Sequence, residues 1–438
     1  MGLCPETMKY AQSTPIEPVG RIRKAQVNVS NRESLFKSLS PNSDLPFARA
    51  EYRKRFRRLQ TAMASRGVDV LYLSSPESIF YMTGYRAEWY QAQSPRFWLP
   101  MSGTAVNAHS DHLIHFDTIE EKAMAICETV VDDIRAHPEE TGTSMVDWVV
   151  SELSREGWLP GTVGLELWSY RPNRAVSERF QSALEARGCE VVDGTDLVRD
   201  LRSVKSSKEL ECVRKAARIA EVGMKAAADN MRPGMTELEV YGIITSAMSR
   251  AGGENPGIPI PVISGKRSAM GHALASRKRI ARGDIVNIDV CGVHNRYHAN
   301  LARTFSMGRQ PVDVARMVEL SAGGFDRIRK IVRPNMLVSE FVDEMSAYYE
   351  DAGINKDRWW YGGYELGIAF PPDWVGQFVY DYDLDNRGKR FVPGTVVNFE
   401  SNFWLPLDKG VSILIDTIVF DRNRASVLGR KNAGLVVL

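Results

Sequence analysis

The fold is decided by residues 282–308, which read Arg-Gly-Asp-Ile-Val-Asn-Ile-Asp-Val-Cys-Gly-Val-His-Asn-Arg-Tyr-His-Ala-Asn-Leu-Ala-Arg-Thr-Phe-Ser-Met-Gly. An apolar strand is predicted at residues 285–290, and a turn at Asn295 leads into a returning strand at residues 297–305. One acid, Asp289, interrupts the first strand. Because a carboxylate inside an apolar run is costly unless something pairs with it, Asp289 is a candidate site residue.

The pattern of this hairpin returns later in the chain, where residues 393–400 read Pro-Gly-Thr-Val-Val-Asn-Phe-Glu. When the two segments are overlaid, Glu400 falls on Asp289. A second pair of similar segments, residues 232–240 and 333–341, occurs in the same order. These echoes predict an internal duplication that brings both acids into one cleft. The alternative is two unrelated carboxylates that are buried or lie on sheet edges.

The composition is typical of a globular protein without nucleic-acid or membrane partners. The chain has 438 residues, of which 44% are apolar and 25% charged, enough for two or three domains with sizeable cores. The net charge is only +2, and no basic run carries interleaved aromatic residues. No apolar run approaches the roughly 20 residues that span a bilayer. The five cysteines are scattered without a Cys-x-x-Cys pair, which indicates a reduced, cytoplasmic protein.

Three regions are expected along the chain. Residues 1–44 are rich in Pro, Ser and Asn and predict an extended N-terminal arm. Residues 45–198 predict an α/β domain, because helices alternate with short buried strands. The elements that carry this prediction are helices at 49–66 and 177–188 and strands at 68–73 and 163–167. Residues 199–438 predict an α+β domain whose two similar halves face each other across a cleft.

Two of the seven histidines lie near the predicted hairpin in a way that suits chemistry. His272 follows Gly271 on a segment of small residues that leads into the strand of Asp289, a place suited to general acid–base work. His298 shares strand parity with Asn300. It therefore either faces the cleft or is a hydrogen-bonded structural histidine.

The second domain resembles the pita-bread family of creatinases, aminopeptidases P, prolidases and methionine aminopeptidases. The resemblance is carried by residues 201–206, residues 233–237, the His272 loop, the Asp289 strand, residues 303–305 and residues 393–395. Residues 81–85, Tyr-Met-Thr-Gly-Tyr, make the first domain similar to the creatinase-type N-terminal domain. The resemblance implies a C-terminal α+β pita-bread domain with an internal duplication, preceded by a smaller α/β domain. It also implies a homodimer in which the partner's first domain closes the cleft.

The sequence departs from this family at the metal ligands. The resemblance implies a site like that of the family's peptidases, which hold two metal ions with two aspartates, a histidine and two glutamates. Asp289 and Glu400 match the first aspartate and the first glutamate. Asn300, Tyr364 and Ile415 stand where the second aspartate, the histidine and the last glutamate belong. Because an amide, a phenol and an alkyl group are poor substitutes for these ligands, we expect neither a metal nor another cofactor.

Loss of the metal ligands with retention of His272 is the pattern of the creatinase-like branch, whose members hydrolyse carbon–nitrogen bonds without metal. Residues 295–304 and 367–374 look most like ectoine hydrolases, which open a small cyclic amidine. Two departures from ectoine hydrolases are Asp289, where a longer acid is expected, and the retained Glu400.

We therefore expect a metal-independent hydrolase of a non-peptide carbon–nitrogen bond in a small amidine, guanidine or cyclic amide, with a polar, nitrogen-rich substrate. The alternatives are a metal-dependent Xaa-Pro peptidase or lyase of the same fold and a non-catalytic binding protein.

Three catalytic roles are expected. His272 takes a proton from water and returns it to the leaving nitrogen. Asp289 orients the substrate or attacks it as a carboxylate nucleophile, and Glu400 pairs with a cationic amidinium or guanidinium. Further substrate contacts are expected from cleft residues and from the partner's first domain: His298, Asn300 and Tyr364, and then Tyr85, Arg86, Trp89 and Tyr90. For the four residues of the first domain, packing at a subunit interface is the alternative.

Overall fold

The structure, a computed structural model, describes residues 29–86, 101–138, 143–429 and 433–438. Within these ranges, no helix combines the length with the apolar character that a membrane crossing requires. Two residues predicted to bind substrate, Trp89 and Tyr90, lie outside the described residues.

The first domain alternates helices and strands, as its sequence predicts. Its helices are α1 (Val29–Ser38), α2 (Arg49–Ser65), α3 (Pro76–Thr83), α4 (Lys122–Glu128), α5 (Met145–Arg155), α6 (Arg174–Glu185) and α7 (Thr195–Ser203). Its strands are β1 (Val70–Leu73), β2 (Gly103–Asn107), β3 (Leu113–Asp117), β4 (Asp133–Ala136), β5 (Thr162–Leu165) and β6 (Glu190–Asp193). They form one sheet of order β4-β3-β2-β1-β5-β6, in which β1, β5 and β6 run parallel. The predicted α/β class of this domain is confirmed.

Helix α2 packs with the apolar face that its sequence predicts, since Phe56 and Leu59 are buried. Arg55 is buried on the same helix, and its guanidinium reaches the second domain. Its Nη2 donates to Tyr297 Oη at 3.3 Å and lies 3.7 Å from a carboxylate oxygen of Glu209. This buried contact joins the two domains.

Two elements of the first domain differ from the prediction. The arm expected to be extended contains α1, and no proline between Pro18 and Pro41 prevents a helix there. Helix α6 begins at Arg174, before the predicted start at residue 177. The cause is the Asn173 side chain, which caps the helix by accepting the N–H of Val176 at 3.2 Å.

The second domain combines four long helices with a nine-stranded sheet. Its helices are α8 (Ser207–Asn230), α9 (Glu237–Arg250), α10 (Val312–Ile331) and α11 (Val338–Asp351). Its strands are β7 (Val262–Ser264), β8 (Ile285–His294), β9 (Tyr297–Ser306), β10 (Met336–Leu337), β11 (Arg358–Tyr364), β12 (Val379–Asp381), β13 (Arg390–Phe391), β14 (Val396–Trp404), β15 (Val411–Phe420), β16 (Ala425–Val427) and β17 (Val436–Val437). The sheet follows the order β12-β11-β14-β15-β9-β8-β7, with β16 beside β15 and β17 beside β9.

The internal duplication predicted from the sequence is visible in this order. In each half a helix pair is followed by a long antiparallel hairpin, β8–β9 in the first half and β14–β15 in the second. The two hairpins adjoin where Ala302 of β9 pairs with Ile415 of β15. Gly234 and Asn335, at matching positions, both adopt left-handed φ angles, of 94° and 62°. The predicted α+β class with an internal duplication is confirmed.

One face of the large sheet is covered by helices, and the other carries the two acids. Ile288 and Val290 of β8 pack in a cluster with residues of α8 and α9, and Phe399 of β14 packs in a cluster with residues of α10 and α11. Because successive side chains of a strand point to opposite faces, Asp289 and Glu400 both point away from these helices. We call this side of the sheet the cleft face.

Candidate active site

Asp289 and Glu400 belong to one row of residues that crosses the large sheet. Asp289 pairs with Ala302, Ala302 with Ile415, and Ile415 with Glu400. Residues directly opposite each other on antiparallel strands point to the same face. The row therefore has an acid at each of its two ends, and both acids lie on the cleft face. The side chains of Ala302 and Ile415 lie between them.

A chain of side-chain amides connects the two acids. Asn300 Nδ2 donates to Asp289 Oδ1 at 2.6 Å, and Asn398 Nδ2 lies 3.1 Å from both Asn300 Oδ1 and Glu400 Oε1. Asn402 Nδ2 donates to Glu400 Oε2 at 2.9 Å. All three amides are buried. The predicted site residues Asp289, Asn300 and Glu400 thus form one hydrogen-bonded network.

Asn398 and Asn402 are not among the residues predicted for the site, although the sequence carries a signal for them. They stand two residues before and two residues after Glu400 on the same strand. Since side chains two apart share a face of a strand, the assignment of Glu400 to the cleft places both asparagines there.

Burial dominates the electrostatics of the two acids. It raises the pKa of Asp289 to about 7, against the opposing effect of the Asn300 hydrogen bond. Burial, followed by the negative charge of Asp289, raises the pKa of Glu400 to about 8. Among the described residues, no arginine, lysine or histidine forms an ion pair with either acid. The pair therefore favours a proton or a cationic ligand.

Tyr364 lies beside this pair, at the end of β11. Its backbone N–H donates to Asn398 Oδ1 at 2.7 Å, and its hydroxyl accepts the indole N–H of Trp374 at 3.0 Å. Burial, and then the charges of Glu400 and Asp289, raise the pKa of the Tyr364 phenol well above its ordinary value. The phenol is consequently protonated at neutral pH, and its hydroxyl forms a hydrogen bond with the Glu400 carboxyl group. Trp374 was not predicted as a site residue, although it ends the segment 367–374 that carries the resemblance.

His272 lies exposed on the loop that precedes β8. Its ring is 6.1 Å from that of Trp359, and a Cβ added to neighbouring Gly271 would lie 2.7 Å from the same indole. Trp359 in turn packs against the apolar cluster of the cleft face that contains Ala302 and Ile415. Within the described part of the chain, no residue forms a hydrogen bond with His272. The catalytic role of His272 stays a prediction.

His298 is buried on β9, and both of its ring nitrogens are used by the protein. Nε2 lies 3.0 Å from the backbone nitrogen of Gly257, whose N–H it accepts. Nδ1 lies 2.9 Å from the backbone oxygen of Arg296. Burial lowers the pKa of this imidazole to about 3, so it is neutral. His298 therefore holds the Gly257 loop on the sheet, and its contact with substrate stays a prediction.

Tyr85 and Arg86 lie in the first domain and bind other residues of that domain. Tyr85 is buried and donates its hydroxyl to Asp117 Oδ2 at 2.5 Å. Arg86 donates to both carboxylate oxygens of Glu128, at 3.2 and 3.3 Å. Their predicted contact with a substrate in the partner's cleft stays a prediction.

The residues present do not fit the two-metal site of the related peptidases. Ile415 pairs directly with Glu400 and offers no ligand atom, while Asn300 directs its N–H group at Asp289. Both oxygens of Glu400 already accept hydrogen bonds from amides. Across the residues that the structure describes, no three His, Cys, Asp or Glu side chains cluster as a metal site requires.

Comparisons with known proteins agree with the two-domain architecture. The metallopeptidase family M24 matches residues 211–421, and the creatinase/prolidase N-terminal domain matches residues 55–204. Ectoine hydrolase of Halomonas elongata is 26% identical over 388 residues, which cover 84% of this chain and 93% of the relative. The Xaa-Pro dipeptidase of Pyrococcus furiosus is 24% identical over 385 residues, which cover 88% of this chain and 100% of the relative.

The solved structures extend this agreement to the fold. The Xaa-Pro dipeptidase from Bacillus anthracis has a TM-score of 0.72 at 20% identity and covers 88% of this chain and 100% of its own. Both domains are thus matched in sequence, and their arrangement is matched in three dimensions. The chain therefore combines a creatinase/prolidase N-terminal domain with a metallopeptidase family M24 domain of the pita-bread fold.

Proposed function

We propose that this member of a hydrolase family hydrolyses a non-peptide carbon–nitrogen bond in a small amidine, guanidine or cyclic amide, without a metal ion. The observation that carries the proposal is the pair of acids, the half-buried Asp289 and the buried Glu400, on one face of the sheet. Neutral amides link the two acids, and no described cationic side chain forms an ion pair with either. The pair supports a cationic amidine or guanidine over a neutral cyclic amide.

A cationic substrate would replace a proton that the two acids hold. With pKa values of about 7 and about 8, Asp289 and Glu400 together hold on the order of one proton near neutral pH. An amidinium presents two parallel N–H groups, which match the two oxygens of a carboxylate. A bound cation would take the place of the proton and stabilise both carboxylates in their ionised form.

In the proposed reaction, the oxygen of a water molecule bonds to the amidine or guanidine carbon, and the bond from that carbon to one nitrogen breaks. His272 takes a proton from the water and returns it to the leaving nitrogen. Glu400 holds the cationic group, and Asp289 orients the substrate. In the alternative course, Asp289 first attacks the same carbon as a nucleophile and the carbon–nitrogen bond breaks; water then bonds to that carbon and the bond to Asp289 breaks. Tyr364 stays protonated, and its hydroxyl helps to hold the Glu400 carboxylate in place against the cationic group.

The position of the His272 loop supports this role. The loop contacts Trp359, which packs against the apolar cluster that contains Ala302 and Ile415, the two residues that separate the acids in the cross-strand row. This packing supports a role for the His272 imidazole at the face that carries the acids.

The relatives support two substrate classes. Ectoine hydrolase of Halomonas elongata supports a cyclic amidine, whereas the Xaa-Pro dipeptidase of Pyrococcus furiosus supports a peptide. The donor set favours the first class, because Asn300, Tyr364 and Ile415 leave the positions of three peptidase ligands without a carboxylate or an imidazole. The experiment must therefore distinguish the proposed metal-independent hydrolase from a metal-dependent peptidase.

A panel of substrates tests the proposal. Chelator-treated protein is incubated with ectoine, creatine, a neutral cyclic amide and an Xaa-Pro dipeptide, and products are followed by liquid chromatography and mass spectrometry. We expect turnover of an amidine or guanidine and a higher KM in Glu400→Gln, with Glu178→Gln on the surface as the matched control. Cleavage of the dipeptide alone, and only after addition of Mn²⁺, would overturn the proposal.

A further inference from the structure

A cavity of 470 Å³ lies between the two domains, apart from the cleft face. The first domain contributes the loop that follows β5 and the helix α7, and the second domain contributes the loop at residues 368–376. This volume lies within the range of roughly 300–1,000 Å³ that is usual for small-molecule sites. Neither Asp289 nor Glu400 lines it, so the function proposed above does not use it.

Two arginines of α7 line the cavity with N–H groups that lack acceptors. Arg199 forms no hydrogen bond and no ion pair with any residue of the described ranges. Arg202 donates Nη1 to the backbone oxygen of Ile368 at 3.1 Å, while its Nε is buried without an acceptor. The buried Nε of Arg202 is costly without a partner, and Arg199, which is half-buried, brings a second guanidinium group to the same cavity. Two guanidinium groups in one cavity match a carboxylate.

Acidic side chains of the cavity keep oxygens for a positive group. Asp373 Oδ1 accepts the N–H groups of Trp374 and Val375, at 2.7 and 3.0 Å, which leaves Oδ2 open. Glu77 Oε2 accepts the hydroxyl of Ser75 at 2.9 Å, which leaves Oε1 open. The cavity thus offers donors on α7 and acceptors on two other elements.

The remaining surface of the cavity is largely apolar and exposed. Leu167, Trp168 and Val375 line it, with exposed fractions of 44%, 78% and 41%. Large apolar side chains this exposed gain free energy when a ligand covers them. A ligand that suits the whole cavity therefore has an anionic group, a cationic group and an apolar part.

We propose that this cavity between the domains binds a small zwitterion, an α-amino acid with an apolar side chain. Its carboxylate pairs with Arg199 and Arg202, its ammonium group with Asp373 and Glu77, and its side chain packs on Trp168. The loop at residues 368–376 forms one wall of the cavity and also carries Trp374, which donates to Tyr364 at the cleft face. A single loop therefore connects the wall of the cavity with Tyr364, which lies beside the acids.

Isothermal titration calorimetry on the full chain tests the proposal with three matched probes. L-phenylalanine has both charged groups, phenethylamine lacks the carboxylate and 3-phenylpropionate lacks the ammonium group. We expect L-phenylalanine to bind at least roughly tenfold more tightly than either analogue, because each analogue leaves charged groups of the cavity unpaired. We expect Arg199→Gln to weaken its binding by a similar factor, and Arg174→Ala, at an exposed arginine, to leave it unchanged.

Three results would overturn the proposal. The first is no binding of L-phenylalanine at millimolar concentration, and the second is equal binding by wild type and Arg199→Gln. The third is binding of 3-phenylpropionate as tight as that of L-phenylalanine, which would indicate a plain anion site. Because the readout is binding, failure of the hydrolase proposal leaves these outcomes unaffected.

Discussion

Asp289 and Glu400 stand at the two ends of one cross-strand row, and the amides of Asn300 and Asn398 link their carboxyl groups. Because burial raises the pKa of both acids, this network of neutral groups favours a shared proton or a bound cation. The partners of the two acids differ from those in a metal site, in which the same acids would lie among further anionic or imidazole ligands.

The stability of the protein is predicted to depend on pH through these acids. A carboxyl whose pKa is raised by folding holds its proton more tightly in the folded state, so the free energy of unfolding falls as pH rises. The window runs from the ordinary carboxyl pKa of about 4 to about 8, the raised pKa of Glu400. Urea unfolding at pH 5 and pH 8 should show a decrease that is larger in wild type than in Glu400→Gln by on the order of 2 kcal/mol.

The surface variant Glu178→Gln is the control for this experiment and should keep the wild-type decrease. If Glu400→Gln and wild type lose the same stability between the two pH values, the raised pKa of Glu400 is wrong.

Metal binding is predicted to appear when three residues are replaced together. The variant Asn300→Asp, Tyr364→His, Ile415→Glu supplies a full set of acidic and imidazole ligands beside Asp289 and Glu400. We expect Mn²⁺ to raise the melting temperature of the triple variant, because a ligand that binds the folded state stabilises it. Wild type and Asn300→Asp alone should show no such shift in the same thermal scan. An equal shift in wild type would contradict the assignment of these three positions.

Replacement of His272 is predicted to remove turnover and leave the fold intact. Because the side chain is exposed and bonded to no described residue, His272→Ala should change the unfolding free energy by less than about 0.5 kcal/mol. The loss of a general base should lower kcat by at least roughly 100-fold. The matched histidine control is His294→Ala. His294 lies at the end of β8, and its Nε2 is 3.4 Å from Lys215 Nζ. Full activity of His272→Ala would exclude the proposed role.

A buried ion pair on the other side of the sheet is predicted to matter for stability alone. Arg303 Nη2 donates to Asp416 Oδ1 at 2.9 Å, and both side chains are buried. Arg303→Ala leaves Asp416 buried without its main partner, which should cost about 3–5 kcal/mol in urea unfolding. Arg174→Ala, which breaks an exposed pair with Glu178, should leave the unfolding midpoint unchanged. Similar midpoints for the two variants would show that the buried pair contributes little.

The positions of the acids could be predicted from the sequence because strands have a period of two. Asp289 interrupts an apolar run, and the later echo of that run places Glu400 at the matching position. The structure pairs Ile415 directly with Glu400 across β14 and β15, so the position that the resemblance marks as a ligand lies on the cleft face. Side chains point to alternate faces along a strand, so a short sequence pattern is enough to predict which face a residue occupies.

Contacts between distant loops could not be predicted in the same way. Trp374 forms a hydrogen bond with Tyr364, and Trp359 contacts the His272 loop. Trp374 and His272 lie in segments whose sequence has no regular period. The exposure of His272 depends on how its loop packs, which no pattern along the chain determines. The cavity lined by Arg199 arises only when two domains meet, so its residues carry no common signal in sequence.

The most direct test of the central claim combines turnover with metal content on one sample. The best substrate of the panel is assayed before and after treatment with a chelator, and the same protein is analysed by elemental mass spectrometry. The account predicts far less than one metal ion per chain and a kcat that the chelator does not change. Stoichiometric manganese, iron or zinc, with activity that the chelator removes and the added ion restores, would contradict it.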